Sequence, residues 1–209
     1  MEKIKKGLIW FFKSFLWIIP LLFFFDILTK QLFEKVILKE DGNSIVVIKN
    51  FLSFTLTHNT GAAWGIFADM DWLLITFSVV CGTGMVIFLI IKYKKLNLLT
   101  KISLFLMISG AYGNLIDRAF YEKKVIDFIQ FTFIDFPIFN LADMYLVIGV
   151  IMLIISEIIY EFVSKKKEAK AIEKKERTTE DIISNDSIKH LSENLQNNLE
   201  EKKDENDGK

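Results

Sequence analysis

Two carboxylates in apolar surroundings are the residues of this sequence best suited to chemistry. Asp143 stands at the front of a long apolar run, in "FNLAD", and Asp127 lies inside the apolar stretch "VIDFI". Two carboxyl groups that converge in a partly dry site resist double ionisation and share a proton. One is then a base that activates water, and the other is an acid that protonates the departing group. The pair therefore indicates acid–base hydrolysis.

A helix cap is the competing interpretation of Asp143. Asn140 precedes it by three residues, so the two share a face of a helix. Asn140 can cap the start of that helix, and an acid near a helix N-terminus is favoured by the helix dipole. Capping does not explain the second acid, Asp127, so we prefer the dyad.

A further polar cluster ends a short apolar run. Gly110, Asn114 and Asp117 line one face of a predicted helix, and the small residue lets another helix approach closely. Arg118 follows at once and can hold Asp117 ionised or reach a lipid phosphate. Helix packing with a buried ion pair is the simpler alternative. The residues alone do not choose between Asp117 and Asp127 as the partner of Asp143.

Two other short segments carry polar groups in unusual places. Asp26 and Lys30 are four residues apart and can form an ion pair that orients a helix end. In "NTGAAWG", Asn59 can hydrogen-bond an extended peptide backbone. Gly61 with the two alanines after it permits a tight turn and close approach by a substrate, although an ordinary loop would look the same.

Other kinds of catalytic site find little support. Cys81 is the single cysteine, which excludes an internal disulfide and a cysteine-rich metal site. It has no basic neighbour in sequence, so we interpret it as a small buried apolar residue. His58 and His190 lie in different contexts and predict no metal cluster.

The elements that position these groups are membrane helices. The chain is 52% hydrophobic, and apolar runs approach the roughly 20 residues needed to cross a bilayer. The runs are Ser14–Phe33, Trp72–Ile91, Ile102–Ile116 and roughly Ile138–Phe162. We predict an all-α membrane protein with four transmembrane helices and a small extracytoplasmic β-rich element.

Orientation follows from the basic residues. Lysines crowd the N-terminus at Lys3, Lys5 and Lys6, the loop 92–101 and the segment 165–167, which places these on the cytoplasmic side. The segments 31–71 and 118–137 then face outward. "SIVVIKNFLSFTLTHN" predicts a strand pair on the membrane, and we expect "VIDFIQFTFIDF" to lie along the interface.

The chain divides by composition near residue 163. Residues 1–163 form the predicted four-helix transmembrane domain, and residues 164–209 form a charged, disordered cytoplasmic tail. Residues 165–177 carry seven Lys or Arg against three Glu, so this part of the tail can lie along anionic lipid headgroups.

Five segments together resemble one family, the bacterial lipoprotein signal peptidases (signal peptidase II). They occur in the family's order: "DILTK" at 26–30, "NTGAAWG" at 59–65, "GAYGNLIDR" at 110–118, "VIDFI" at 125–129 and "FNLAD" at 139–143. The resemblance covers roughly residues 10–163 and excludes the tail.

The resemblance implies an aspartic membrane endopeptidase in the bacterial cytoplasmic membrane. It would remove the signal peptide of a diacylglyceryl-modified prolipoprotein, cutting just before the lipidated Cys. The implied catalytic pair is Asp127 and Asp143. The implied substrate-binding and supporting residues are Asn59, Gly61, Asn114, Arg118, Asn140, Asp26, Lys30, Gly110 and Asp117. We expect no metal, no cofactor and no nucleic-acid partner. Prolipoprotein and membrane lipid are the expected partners of a monomer.

Two other functions fit a small polytopic chain. A transporter or channel would use Asp26, Asp117 and Asp143 as a proton or cation path spread across the membrane depth. A non-catalytic membrane adaptor would work through its tail and would tolerate Asn in place of the acids.

Overall fold

Long helices and a three-stranded sheet dominate the computed structural model, which describes residues 2, 7, 11–61, 66–67, 70–121 and 124–207. Beyond Arg177 it describes the backbone alone. The helices are α1 (Ile18–Ile37), α2 (Asp71–Lys92), α3 (Leu98–Phe120) and α4 (Leu141–Asp207). The strands are β1 (Ser44–Ile48), β2 (Leu52–Asn59) and β3 (Val125–Phe131). Lys3, Lys5, Lys6 and the end of the "NTGAAWG" motif, residues 62–65, lie outside the described residues.

Within the described residues, 3 helices are long and apolar enough to cross a membrane. They are α2, α3 and the part of α4 from Leu141 to Lys175. Helix α1 is not among them because its 20 residues include four charged ones, Asp26, Lys30, Glu34 and Lys35. The prediction of a mostly helical membrane protein with a small β-rich element is therefore confirmed. The count of four spans stays a prediction.

Helix α1 begins four residues later than the apolar run suggested. Residues 14–17 form a turn, and Phe15 has a φ of 58°. Pro20 has no N–H to donate to the carbonyl of Leu16, which accepts a hydrogen bond from the Ile19 N–H at 3.2 Å instead. Proline is well tolerated in the first turn of a helix, where its missing N–H is not needed, and Pro20 is the third residue of α1.

Among the described residues, helix α3 supplies six of the thirteen buried polar residues, more than any other element. The Asn97 side chain caps its start by accepting the Thr100 N–H at 2.8 Å. At its other end Asn114, Asp117 and Arg118 are all buried. This polar end extends α3 beyond the apolar run at 102–116, because buried partners satisfy the polar groups there.

The sheet is antiparallel, in the order β1-β2-β3. The predicted strand pair within residues 44–59 is confirmed as β1 and β2. Val125–Phe131 adds a third strand that the sequence did not indicate, and the expectation that residues 125–136 lie along the interface stays a prediction. Phe128 of β3 stacks on Phe33 of α1, with 4.5 Å between ring centroids, and so holds the sheet against α1.

Helix α4 begins at Leu141 and runs to Asp207. The chain divides into two compact units, Met1–Ser156 and Glu157–Lys209. In the second unit, exposed i, i+4 ion pairs join Lys165 to Glu161 at 2.7 Å and Arg177 to Glu173 at 2.8 Å. The predicted domain boundary at residue 163 and the cytoplasmic tail stay predictions.

Candidate active site

Asp127 and Asp143 line one cavity of about 950 Å³ within the first unit. Asp127 lies in β3, and Asp143 lies in the first turn of α4. These two elements follow each other in the chain, and the link between them returns along β3, where the Phe139 N–H donates to the Ile129 carbonyl at 3.0 Å. The turn therefore delivers the start of α4 to the side of β3.

The Asp127 carboxylate is buried and accepts two amide donors. Its Oδ1 accepts from Asn140 Nδ2 at 2.7 Å, and its Oδ2 accepts from Asn59 Nδ2 at 3.0 Å. Thr57 pairs with Asp127 across the strands, so Asn59, two residues on, reaches Asp127 diagonally. Burial raises the pKa of Asp127 to about 7, the charge of Asp143 adds to the rise, and the two amides oppose it.

Asp143 has a different set of donors. Its Oδ1 accepts from Asn114 Nδ2 at 2.7 Å, and its Oδ2 accepts from the backbone N–H of Asn140 at 3.1 Å. Asn140 Oδ1 in turn accepts the Asp143 N–H at 3.0 Å, which is a reciprocal capping box. The contrast between dyad and cap drawn from the sequence is wrong, because one oxygen of Asp143 caps the helix while the carboxylate also lines the cavity.

Lys30 is the centre of a separate buried charge cluster. Its Nζ lies 2.9 Å from Asp26 Oδ2, 2.8 Å from Asp117 Oδ2 and 3.2 Å from Asn114 Oδ1. The expected Asp26–Lys30 pair is present in α1, and Lys30 also contacts Asp117 and Asn114 of α3. Asp117 is occupied by Lys30 and does not line the cavity, whereas Asp127 does. Asn114 links the cluster to the cavity, since its Oδ1 faces Lys30 and its Nδ2 faces Asp143.

Asp26 ties the first helix to the last. Its Oδ1 accepts the backbone N–H of Ala142 at 2.9 Å, which is one of the donors left free at the start of α4. Asp26 and Ala142 are both 0% exposed. The contact fixes the first turn of α4, and with it Asp143, against α1.

Glycines of α3 permit this close approach. A Cβ at Gly113 would lie 2.5 Å from Asp26 Oδ2 and 3.0 Å from the Ala142 side chain. A Cβ at Gly110 would clash with the carbonyl oxygen of Ala142. The expectation that small residues admit a neighbouring helix at this face is confirmed.

Arg118 bonds to carbonyl groups at the edge of the cavity. Its Nη2 donates to the Gly61 carbonyl at 3.0 Å, and its Nη1 lies 3.5 Å from the Asn114 carbonyl. Gly61 is held in turn, because its N–H donates to Asn59 Oδ1 at 2.8 Å. Arg118 thereby holds Gly61, two residues after β2, beside the two carboxylates.

The sequence did not indicate the apolar part of the cavity. One face of α2 lines it, and the interpretation of Cys81 as a buried residue is wrong, because its side chain is partly exposed in this cavity. The lining positions of α2 follow each other at helical spacing: Leu74, Phe77, Ser78, Cys81, Gly84, Met85 and Phe88. A helix that is apolar all round has no polar face, so its sequence does not show which face lines a cavity and which contacts lipid.

Comparisons with known proteins agree with one another. The profile of the family described as Signal peptidase (SPase) II matches residues 18–159. A lipoprotein signal peptidase of Clostridium tetani is 50% identical over 117 residues, covering 54% of this chain and 74% of its own length. One from Bacillus subtilis is 42% identical over 147 residues, covering 68% of this chain and 91% of its own.

A solved structure is similar as well. It is a bacterial membrane enzyme determined by the in meso method at 2.3 Å resolution. The TM-score is 0.61 with 36% sequence identity, over 70% of this chain and 87% of the other.

Proposed function

This chain belongs to the signal peptidase II family, and from that membership we propose that it removes signal peptides from prolipoproteins by means of the Asp127–Asp143 pair. The resemblance inferred from the five sequence motifs is thereby confirmed. So is the assignment as a protease of lipoprotein processing in a multi-pass bacterial membrane protein.

The arrangement of the two carboxylates is the observation that carries the mechanism. Both line the same cavity, and every one of their oxygens accepts an N–H donor, in three of the four cases from an Asn side chain. These donors orient the carboxylates without neutralising them, which leaves the remaining lone pairs for water and substrate.

A division of labour follows from the environment of each acid. With its pKa raised to about 7, Asp127 holds the proton that the pair shares. Asp143 then accepts a proton from water, the water oxygen attacks the scissile carbonyl carbon, and Asp127 gives its proton to the carbonyl oxygen. Proton transfer from Asp143 to the peptide nitrogen breaks the C–N bond, and the proton of the collapsing diol returns to Asp127.

Asp117 suits the supporting cluster better than the dyad. Its carboxylate lies 2.8 Å from Lys30 Nζ and accepts the Ile126 N–H at 3.4 Å. A lysine at this distance engages the carboxylate in an ion pair inside the supporting cluster. We therefore assign Asp26, Lys30, Asp117 and Gly110 to the support of α4, and Asn59, Asn114, Asn140, Arg118 and Gly61 to the walls of the site.

The membrane arrangement is part of the same proposal. We take α1 as a fourth span whose charges are neutralised inside the bundle, where Asp26, Lys30 and Asp117 meet. Four spans place both termini in the cytoplasm and the sheet with its dyad at the outer face, in agreement with the lysine-rich segments. The enzyme acts as a monomer on a diacylglyceryl-prolipoprotein and cuts before the lipidated Cys.

The alternatives fit the geometry less well. A transporter needs acids spread across the membrane depth, but Asp26, Asp117 and Asp143 gather around Lys30 and Asn114. An adaptor that works through its tail has no need of two carboxylates in one cavity.

A direct assay tests the proposal. Purified protein is incubated with a prolipoprotein that carries diacylglycerol, and with the same precursor without lipid. We expect a shortened product from the lipidated precursor only. Equal cleavage of both would remove the lipid requirement, and cleavage of neither would overturn the function.

A further inference from the structure

The cavity at the dyad has a polar end and an apolar end. Asp127, Asp143 and Arg118 mark the polar end, and Gly84 and Cys81 belong to the apolar wall formed by α2. From Arg118 to Met107 the lining of α3 extends for about 16 Å of helix at 1.5 Å per residue. The cavity therefore continues well beyond the space that a scissile peptide bond requires.

Gly84 is the unusual residue of the apolar wall. Glycine in a helix interior is unfavourable relative to alanine, and a close neighbour commonly explains it. Gly82 has such a neighbour, since a Cβ there would lie 3.3 Å from the Tyr112 ring, and Gly149 has one in Met107 at 2.6 Å. A Cβ at Gly84 would meet nothing within 4 Å. Its missing side chain adds open space to the cavity and accommodates no described part of the protein.

An unpartnered donor of Arg118 independently indicates that the cavity binds a ligand. Arg118 is only 8% exposed, and among the described residues its Nε has no hydrogen-bond partner. A buried guanidinium donor without an acceptor is costly, and Arg118 lines this same cavity. A bound substrate with carbonyl groups at the polar end would supply the acceptor while its apolar part extends towards Gly84.

We propose that Gly84 and Cys81 are specificity-determining residues, which form a slot for an apolar hydrocarbon group of the substrate. Cys81 lies one helical turn before Gly84 on the same wall, and both are smaller than Leu74, Phe77 and Phe88 around them. The inference rests on the proposed function, because it assigns part of the same cavity. The group is either an acyl chain of the lipidated Cys or a large apolar side chain of the signal peptide.

A size series at Gly84 tests the slot. Gly84→Ala and Gly84→Leu add bulk inside it, and Val80→Phe is the matched control because Val80 is 63% exposed on α2. Each variant is assayed on precursors with long or short acyl chains, and on precursors with large or small apolar residues in the signal peptide. We expect Gly84→Leu to lower kcat/KM about tenfold on the bulky precursor, since it excludes two or three methylene groups. We expect Gly84→Ala to lower it less, and Val80→Phe not at all.

The precursor that restores turnover identifies the occupant. Recovery with short acyl chains assigns the slot to the lipid, and recovery with small signal-peptide residues assigns it to the peptide. Equal loss on every precursor, or no loss in Gly84→Leu, overturns the inference. Wild-type protein is assayed on the same precursors, so failure of the proposed function appears separately as no cleavage by any sample.

Cys81 provides a second measurement that requires no bulk in the slot. It is the single cysteine of the chain, so a small membrane-permeant maleimide labels one site. In an Asp127→Asn background, which retains the precursor uncut, we expect bound precursor to slow labelling of Cys81 at least fivefold. A Cys81→Ser, Val80→Cys variant is the control and should be labelled at the same rate with and without precursor. If bound precursor does not slow the labelling of Cys81, the proposed slot is wrong. This test does not depend on Gly84→Leu, so it remains decisive if that variant fails to fold.

Discussion

The side-chain amide of Asn140 donates to Asp127 Oδ1 at 2.7 Å. The backbone N–H of the same residue donates to Asp143 Oδ2 at 3.1 Å. Asn140 is 0% exposed, so both contacts are protected from competing water. One residue therefore sets the position of two carboxylates that come from a strand and a helix.

Replacing either acid of the pair by its amide should abolish most turnover. In Asp143→Asn and Asp127→Asn the amide can neither accept a proton from water nor share one, so we expect losses of about 10²–10⁴-fold in kcat. The double variant should be little worse than either single one, because the two residues act as a unit. Cleavage of lipidated precursor by purified, folded protein is the measurement.

Asp117→Asn is the control for that experiment. Asp117 faces Lys30 and not the cavity, so its loss should lower yield or thermal stability more than the rate of folded enzyme. A folded but inactive Asp117→Asn beside an active Asp127→Asn would transfer the dyad role to Asp117. Near-normal turnover by Asp143→Asn would contradict the mechanism altogether.

Activity should fall as pH rises through about 7, because Asp127 then loses the proton that the pair shares. Asn59→Ala removes a donor that favours the charged form of Asp127, so the pKa of Asp127 should rise and the alkaline limb should move up by about one pH unit. The pH profile of kcat/KM measures this. An alkaline limb that moves down in Asn59→Ala would show that Asp127 is not the titrating acid.

Loss of the buried lysine should destabilise the fold more than loss of the acid beside it. Lys30→Met leaves Asp26 and Asp117 buried without a counter-ion, which costs about 3–5 kcal/mol. Adding Asp117→Asn to Lys30→Met removes one uncompensated charge, so the double variant should recover part of the loss. Unfolding in detergent gives the free energies, and simple additivity of the two single changes would contradict the coupling.

Two glycines of the bundle should respond oppositely to alanine. Gly113→Ala brings a Cβ within 2.5 Å of Asp26 Oδ2, so it should lower the free energy of unfolding by about 1–3 kcal/mol. It should also lower the activity. Gly84→Ala meets nothing within 4 Å and should leave stability unchanged or raise it by up to about 1 kcal/mol. The measurement is the thermal unfolding of each variant compared with wild type. A Gly113→Ala variant as stable as wild type would argue against the tight contact of α3 with α1 and α4.

Removal of the chain after Lys175 should leave catalysis intact. Every candidate site residue lies in the unit Met1–Ser156. The truncated protein is compared with the full chain in liposomes at equal concentration. A well-folded truncation that has lost its activity would assign the tail a part in the reaction.

Local spacing allowed part of the site to be predicted. Asn140 and Asp143 are three apart, and Asp26 and Lys30 are four apart, so their pairing on one helix face follows from helical geometry alone. The strand pair at 44–59 was likewise visible in its β-branched residues.

Contacts between distant segments could not be predicted in the same way. The Asn59–Asp127 hydrogen bond depends on the pairing of β2 with β3. The strand β3 itself was missed because Val125–Phe128 is buried on both faces and lacks the alternation of a half-exposed strand. The neutralisation of Asp117 by Lys30 likewise joins different helices, so the periodicity of either one carries no sign of it.

The hydrogen bond from the Ala142 N–H to Asp26 has a consequence for biogenesis. It joins positions 116 residues apart, and the ribosome makes the first long before the second. In the proposed arrangement of four spans, a nascent chain that has inserted α1, α2 and α3 already contains Asp26, Lys30 and Asp117, but it lacks Asp143 and the backbone N–H that Asp26 accepts. If Asp127 and Asp143 are the catalytic pair, as we propose, the site is completed only when the last helix enters the membrane, and we expect the unfinished chain to cut no precursor.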